Sequence, residues 1–341
     1  MNIGIISRDT MMVYLLRRVQ MKEILLSEFE NIRIGNAQNL EAATGCTVVI
    51  CEKGAPTGVD IRGGGPASRE TQILNPVAAC EKIHAVLLSG GSAFGLDASG
   101  GVMKYLEERN IGFDVGVTKV PLVSTSCIFD LQIGNKNIRP DIEMGYKACI
   151  DSENSKLIEG NVGVGTGATV GKYRGPKTMM KSGLGIYAVQ VGDLKVGAIV
   201  AVNALGDIKD YDTGEIIAGL LDENCQRFLN TEDELYKEVD KKQDLFTGNT
   251  TIGIVVTNAK FDKTAMTKVA AMAQNGLART IYPVHTTADG DSVYAMSVGD
   301  VTSDINIVGT LGAKVMAKAI NRAVTVTQGM YGLKCSKDIK G

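Results

Sequence analysis

From Phe29 onward the chain alternates between short apolar runs and turn residues. IRIGNA, CTVVICEK and GVDIRGGG, starting at Ile32, Cys46 and Gly58, predict strands separated by Gly and Asn turns. VAACEKI over 77–83 predicts the start of a helix, and AVLLSGG from Ala85 a buried strand. In SAFGLDASGGVMKYLEER, Ala93, Leu96, Val102 and Leu106 fall at helical spacing. VTKVPLVSTSCIFDL returns to extended structure, and RPDIEMGYKACIDS predicts another helix. GLGIYAVQVGD and LKVGAIVAVNALGD are strong strands joined by a Gly192-Asp193 hairpin signal. TTIGIVVTNA from Thr250 is a further strand. DKTAMTKVAAMAQNGLART and NIVGTLGAKVMAKAINRAV predict two more helices, with HTTADGDSVYAMSVGD between them. Residues 207–248 break the pattern. They are rich in Asp, Glu and Lys, and predict a solvated helix or a partly disordered stretch, with a polar linker over about 222–249. The order is neither a clean βαβ repeat nor an all-β spacing. A layered α/β (α+β) sandwich fits it best.

Composition narrows the partners. Among 341 residues the net charge is −2, so a nucleic-acid backbone finds no electrostatic footing. No apolar run is long enough to span a membrane, and the N-terminus lacks signal-peptide order, which leaves a cytoplasmic protein as the expectation. Residues 1–20 are expected to be a disordered extension, and 21–341 one domain. Seven scattered cysteines without a CxxC predict reduced, buried thiols. With only two histidines, His84 and His285, no metal site is expected. Nor do the Gly clusters form a nucleotide loop, so no cofactor is expected: GVGTGATVG is not GxxxxGK[ST], and SGGSAFG is not a GxSxG elbow.

The sharpest chemical feature is the junction GNTTIGIVV, where a charged stretch meets a buried strand at Asn249-Thr250. A hydroxyl residue opening a core strand is ordinary in itself. Here it allows an N-to-O acyl shift: the Thr250 hydroxyl attacks the Asn249 carbonyl, and hydrolysis of the ester frees Thr250 as a new N-terminus. Its α-amine, ordinarily titrating near 7.7–8.0, then serves as the nucleophile's own base, so no histidine is needed. Asp289 and Asp291, two residues apart in TTADGD, face one side if the segment is extended; an Asp-Gly turn or a calcium-like acidic loop is the plainer alternative. Asn203, a lone amide ending an apolar strand, can donate to an oxyanion or simply satisfy a turn.

Seven motifs in order, GNAQNLEAATGCTVV, GPASRET, LSGGSAFGLDAS, VGVGTGATVGK, VGAIVAVNALGD, GNTTIGIVVTNA and TTADGDSVYA, resemble the DmpA-type self-processing aminopeptidases from about Glu28 to Val324. These include L-aminopeptidase/D-amidases, β-aminopeptidases and the endo-type 6-aminohexanoate-oligomer hydrolase. The resemblance implies a four-layer αββα sandwich like that of N-terminal nucleophile hydrolases, with different connectivity. It implies autocleavage into 1–249 and 250–341, and a homo-oligomer of such heterodimers, a tetramer being expected. By resemblance Thr250 is the nucleophile, Asn203 the oxyanion donor and Lys172 an activator of the hydroxyl. Asp289 and Asp291 are the pair that orients the nucleophile and receives a substrate amine. Phe129, Thr287 and Tyr146 are candidates to line the substrate, although Phe129 falls where some relatives carry a catalytic Tyr, and Tyr146 reads first as a helix-packing residue. The implied activity is hydrolysis of small peptides or amides. Two alternatives stay open: an acyltransferase of the ornithine acetyltransferase kind, and a non-catalytic binding protein of the same fold.

Overall fold

A computed structural model of the chain describes residues 20–154, 157–240 and 248–339. The expectations for residues 1–19, and for the 241–247 part of the linker, lie outside the described residues.

Two sheets stack face to face. The larger runs in the order Met21–Ile24, Leu184–Val191, Leu194–Asn203, Thr250–Ala259, Ser292–Val301, Thr57–Ile61. Its only parallel pair joins Thr250–Ala259 to Ser292–Val301, with Ile252 opposite Ser292. The smaller runs Arg33–Asn39, Thr44–Ala55, Ile83–Ser89, Val123–Cys127, Ala67–Arg69, again with one parallel pair. Strand periodicity builds the layers. Ile252, Ile254 and Val256 point one way and meet Val49, Val86 and Leu88 between the sheets. Val255, from the opposite face, packs with Val196, Val200 and Val293 under helices Lys263–Ala278 and Ile305–Thr325. Helices Ala98–Glu108 and Ile142–Asp151 cover the smaller sheet over Val48, Ile50 and Leu87. This is the αββα sandwich expected from the sequence. Three of the helices begin where an Asp caps them: Asp141 takes the Met144 amide, Asp262 that of Ala265 and Asp304 that of Asn306.

Two expectations are corrected. Residues 77–83 hold no helix start; turns lead directly into the Ile83–Ser89 strand. The carbonyls of Ala78 and Cys80, which a helix would consume, instead accept from the buried Lys263 ammonium. Residues 207–240 are not simply solvated. Asp207–Lys209, Ile216–Ala218 and Ile281–Tyr282 form a small third sheet. The buried Asp207 carboxylate accepts the amides of Leu220 and Thr231 and the Thr231 hydroxyl. Acidic residues there close turns, and helix Thr231–Tyr236 follows. The seven cysteines are all free. Among the described residues no helix is long and apolar enough to cross a membrane.

Ile254 is fully buried at the centre of the inter-sheet layer. Ile254→Ala should cost about 2–5 kcal/mol of stability, read as a lowered denaturant midpoint at unchanged slope; a loss below about 1 kcal/mol would contradict the packing described.

Candidate active site

The junction Asn249-Thr250 lies at one end of the larger sheet because three strand ends meet there. Thr250 opens its strand, Ser292 opens the parallel neighbour, and Asn203 closes the antiparallel one, directly opposite Thr250. The alternation that sends Ile252 and Ile254 between the sheets sends Thr250 there too, and likewise Asn203 with Ile199 and Ala201.

The Thr250 hydroxyl donates to the carbonyl oxygen of Asn249, the residue before it. The same oxygen accepts the Gly290 amide at 2.9 Å. Thr250 and Asn249 are each only 5% exposed. The Asn249 side-chain amide donates to the Ala288 carbonyl at 3.2 Å, which ties the junction to the 284–291 loop. Lys172 reaches the same place from the Gly-rich run. Its Nζ donates to the Gly248 carbonyl at 2.9 Å and the Asn203 carbonyl at 3.1 Å. The Asn203 amide is held at both ends: Nδ2 donates to the Phe129 carbonyl at 2.9 Å, and Oδ1 accepts the Thr169 amide at 3.1 Å. One of its two N–H bonds remains beyond that contact. The Phe129 ring lies against Gly248, 3.5 Å from where a Cβ would project.

The two carboxylates do not present a matched pair. Asp289 turns back to accept the Thr286 amide at 3.0 Å and its hydroxyl at 2.5 Å; the turn lies over Thr287-Ala288, ahead of the Asp-Gly pair, and Asp289 itself bridges to Asn249. Asp291 takes the Thr251 amide at 2.7 Å through Oδ1; its Oδ2 receives the His285 amide at 3.1 Å and lies 2.9 Å from Nδ1 of that ring. Thr287 sits exposed at the tip of the loop. Tyr146 belongs elsewhere: it lies in the outer helical layer against Tyr105 and donates to Glu108 at 2.7 Å, on the far face of the smaller sheet.

Several participants carry no motif in the sequence. A cradle of backbone amides holds the loop: Arg62 donates to the Asp291 carbonyl at 3.0 Å, Gly64 to that of Thr286 at 3.2 Å and Gly65 to that of Asp289 at 2.8 Å. A Cβ on Gly63 would sit 2.3 Å from the Asp291 nitrogen, so only glycine allows this approach. The run of three glycines was the available signal. Asp130, buried, accepts the Thr44 hydroxyl at 2.6 Å and the Gly91 amide at 2.7 Å. Lys181 holds the carbonyls of Gly165 and Ala168, each at 3.0 Å, just before Thr169.

Burial dominates the acidities. It pushes Lys172 down to about 7, against the opposing pull of the Asp289 and Asp130 charges. Lys181 falls to about 7 for the same reason. Asp130 rises to about 6 by burial, despite the hydrogen bonds from Thr44 and Gly91. Asp289 also rises, first by burial and then by the neighbouring Asp291 charge. Among the described residues no group of His, Cys, Asp and Glu is arranged to hold a metal. A buried hydroxyl, a carbonyl pinned beside it, a buried lysine shifted toward neutrality and an amide donor together make a candidate site for acyl chemistry.

The fold is an αββα sandwich with a candidate site for acyl chemistry at one end of its larger sheet. The model of Peptidase family S58 matches residues 26–337, and the chain belongs to that family. An uncharacterized aminopeptidase of Mycobacterium leprae is 35% identical over 340 residues, 90% of this chain and 92% of the relative. A 6-aminohexanoate-oligomer endohydrolase of Kocuria sp. is 30% identical over 284 residues, 82% of this chain and 76% of the relative. The L-aminopeptidase D-Ala-esterase/amidase of Ochrobactrum anthropi, described as a variant of the Ntn hydrolase fold, superposes with a TM-score of 0.67. That likeness covers 89% of this chain and 86% of that one at 15% identity, and it bears on the fold alone. The chain is a peptide/amide hydrolase of the aminopeptidase type.

Lys172 supplies a linkage test in an uncleavable Thr250→Ala background. Its folded-state pKa near 7 lies below the ordinary 10.5, so between those values the unfolded chain binds more protons and stability rises with pH. Below about 7 both states are protonated and the full penalty of burying the cation is present. Lys172→Met should remove up to about 1.4 kcal/mol per pH unit of that slope between pH 7.5 and 10, measured by denaturant unfolding. An unchanged slope would mean the ammonium is not buried as described.

Proposed function

We propose that the protein cleaves its own chain between Asn249 and Thr250 and then hydrolyses small peptides or amides with the freed Thr250. The observation that carries this is the Asn249 carbonyl held between the Gly290 amide and the Thr250 hydroxyl in the intact chain. The donor polarises the carbonyl, and the nucleophile is already beside it.

Lys172 suits the role of first base. A neutral amine has two N–H bonds and one lone pair. The N–H bonds match the Gly248 and Asn203 carbonyls, which leaves the lone pair for the Thr250 hydroxyl proton. A pKa near 7 keeps the neutral form populated. As Thr250 Oγ1 bonds to the Asn249 carbonyl carbon, the proton passes through Lys172 to the Thr250 nitrogen and the C–N bond breaks. Water then hydrolyses the ester, giving an Asn249 carboxylate and a Thr250 amine. In the mature site that amine takes the hydroxyl proton for each substrate, an acyl-enzyme forms on Oγ1, and water releases the acid. The remaining N–H of Asn203 supports the oxyanion, and Asp289 receives a substrate amine. The family match favours hydrolysis over acyl transfer. The names of the relatives, aminopeptidase and 6-aminohexanoate-oligomer hydrolase, frame the substrate as an amide with a nearby free amine. A panel of L-, D- and β-aminoacyl amides separates those classes.

The wild-type chain should give two fragments, 1–249 and 250–341, the second beginning Thr-Thr-Ile-Gly, and Thr250→Ser should do the same. Thr250→Ala should remain one chain without amidase activity; hydrolysis by that intact variant would overturn the reading. Self-cleavage should also accelerate as pH rises through about 7, where Lys172 loses its proton. Lys172→Arg should lose that limb together with most of the rate, followed by fragment appearance on denaturing gels.

A further inference from the structure

The polar groups around the junction include one side chain that the proposed reaction does not use. His285, one of two histidines in the chain, occupies the left-handed region with φ 58°. A non-glycine residue there carries about 1–2 kcal/mol of backbone strain, which persists only where surrounding contacts enforce it. Those contacts come from Asp291. Its Oδ2 takes the His285 backbone amide at 3.1 Å and faces Nδ1 of the ring at 2.9 Å. Its Oδ1 takes the Thr251 amide at 2.7 Å. An ionised carboxylate only accepts, so Nδ1 carries the proton and donates. The other ring nitrogen, Nε2, is buried without a hydrogen-bond partner among the described residues. A proton there would be an unsatisfied buried donor costing about 1–3 kcal/mol, which points to the same tautomer.

We propose that His285 is a positioning residue for the nucleophile: its ring fixes the Asp291 carboxylate in the orientation that also takes the Thr251 amide, and so sets the peptide plane that follows Thr250. The chain of contacts is short. Thr251 N–H belongs to the peptide unit that begins at the Thr250 carbonyl, so the Asp291 bond restrains ψ of Thr250. Rotation about that bond carries Oγ1 and the Asn249 carbonyl together away from the Gly290 amide that polarises the carbonyl, and a displacement near 1 Å is enough to lower a rate by about 10²-fold. The Gly63–Gly65 cradle fixes the loop backbone, through the amides of residues 62–65 on the carbonyls of Thr286, Asp289 and Asp291. It makes no bond to the Asp291 carboxylate, and of the bonds to that carboxylate the ring's is the one a side-chain change removes. His84, the second histidine, has the opposite arrangement: its Nδ1 accepts the Leu122 amide at 3.2 Å, so its proton is on Nε2.

This inference rests on Thr250 being the nucleophile, and its test separates the two. Asn and Gly both tolerate positive φ, but only Asn places an N–H where Nδ1 lies. His285→Asn should therefore keep at least about a third of wild-type kcat and self-cleavage rate. His285→Gly should lose about 10–100-fold in both, with KM within about threefold and a similar melting temperature. Equal behaviour of the two variants, or a loss confined to KM, would overturn the proposal while leaving Thr250→Ala inactive and the nucleophile intact. Should His285→Gly fail to fold, a nitrogen-15 correlation spectrum of the wild-type protein decides, its two histidines assigned with a His84→Asn variant. The proposal requires His285 protonated on Nδ1 and His84 on Nε2; a bare Nδ1 on His285 would end it.

Discussion

The Asn249 carbonyl is the fixed point around which the site is organised. It accepts the Gly290 amide on one side and the Thr250 hydroxyl on the other, immediately before the first residue of a strand bonded to neighbours along both edges. A central strand cannot shift without breaking two ladders. The topology supplies the rest. A parallel neighbour brings the beginning of Ser292–Val301, and with it the 284–291 loop, to the same end of the sheet. An antiparallel neighbour brings the end of Leu194–Asn203 there. One mixed sheet thus gathers Asn203, Thr250 and the carboxylate loop without any of them lying close in sequence.

The same end of the molecule holds a group of charges that folding alone does not favour. Lys172, Lys181, Asp130 and Asp289 are all buried, and burial pulls each toward its neutral form. Replacing such groups with apolar side chains is often neutral or stabilising in other proteins. Their concentration within a few hydrogen bonds of the Thr250 hydroxyl is what the proposed acyl chemistry calls for. The three apolar layers of the sandwich, one between the sheets and one under each helical pair, carry the stability that this end forgoes.

The architecture was legible because it rests on local periodicity. The apolar alternation of TTIGIVV and LKVGAIVAVN, and the helical spacing of KVMAKAINRAV, each encode a face, and the faces dictate the layers. What was not legible depends on partners far away in sequence. The helix expected at 77–83 is absent because Lys263, some 180 residues later, claims its carbonyls. Asp207 sits inside an apparently solvated segment because it closes turns with Leu220 and Thr231. At the site, Thr250, Asn203, Lys172 and the Asp289–Asp291 loop were named by motif. Gly290 acts through its backbone amide and Asp130 through a buried carboxylate whose partners are distant in sequence, while the Gly63–Gly65 cradle left only its run of three glycines as a signal. Tyr146 illustrates the converse: a plausible residue type, on a helix that faces away.

The two carboxylates divide the labour that sequence spacing assigned to them jointly. Asp291 is spent on three N–H groups, those of Thr251, the His285 backbone and the His285 ring. A carboxylate so engaged holds structure, and withdrawing it to bind a ligand would release both the strand and the strained loop. Asp289 is bound mainly within its own turn, to Thr286. Burial and the fixed charge of Asp291 raise its pKa, so a cation arriving beside it relieves an unfavourable arrangement rather than displacing a favourable one. A substrate ammonium is such a cation, and so is the α-ammonium of a newly freed Thr250. The asymmetry between two acids two residues apart therefore points the amine-binding role to Asp289 and the scaffolding role to Asp291.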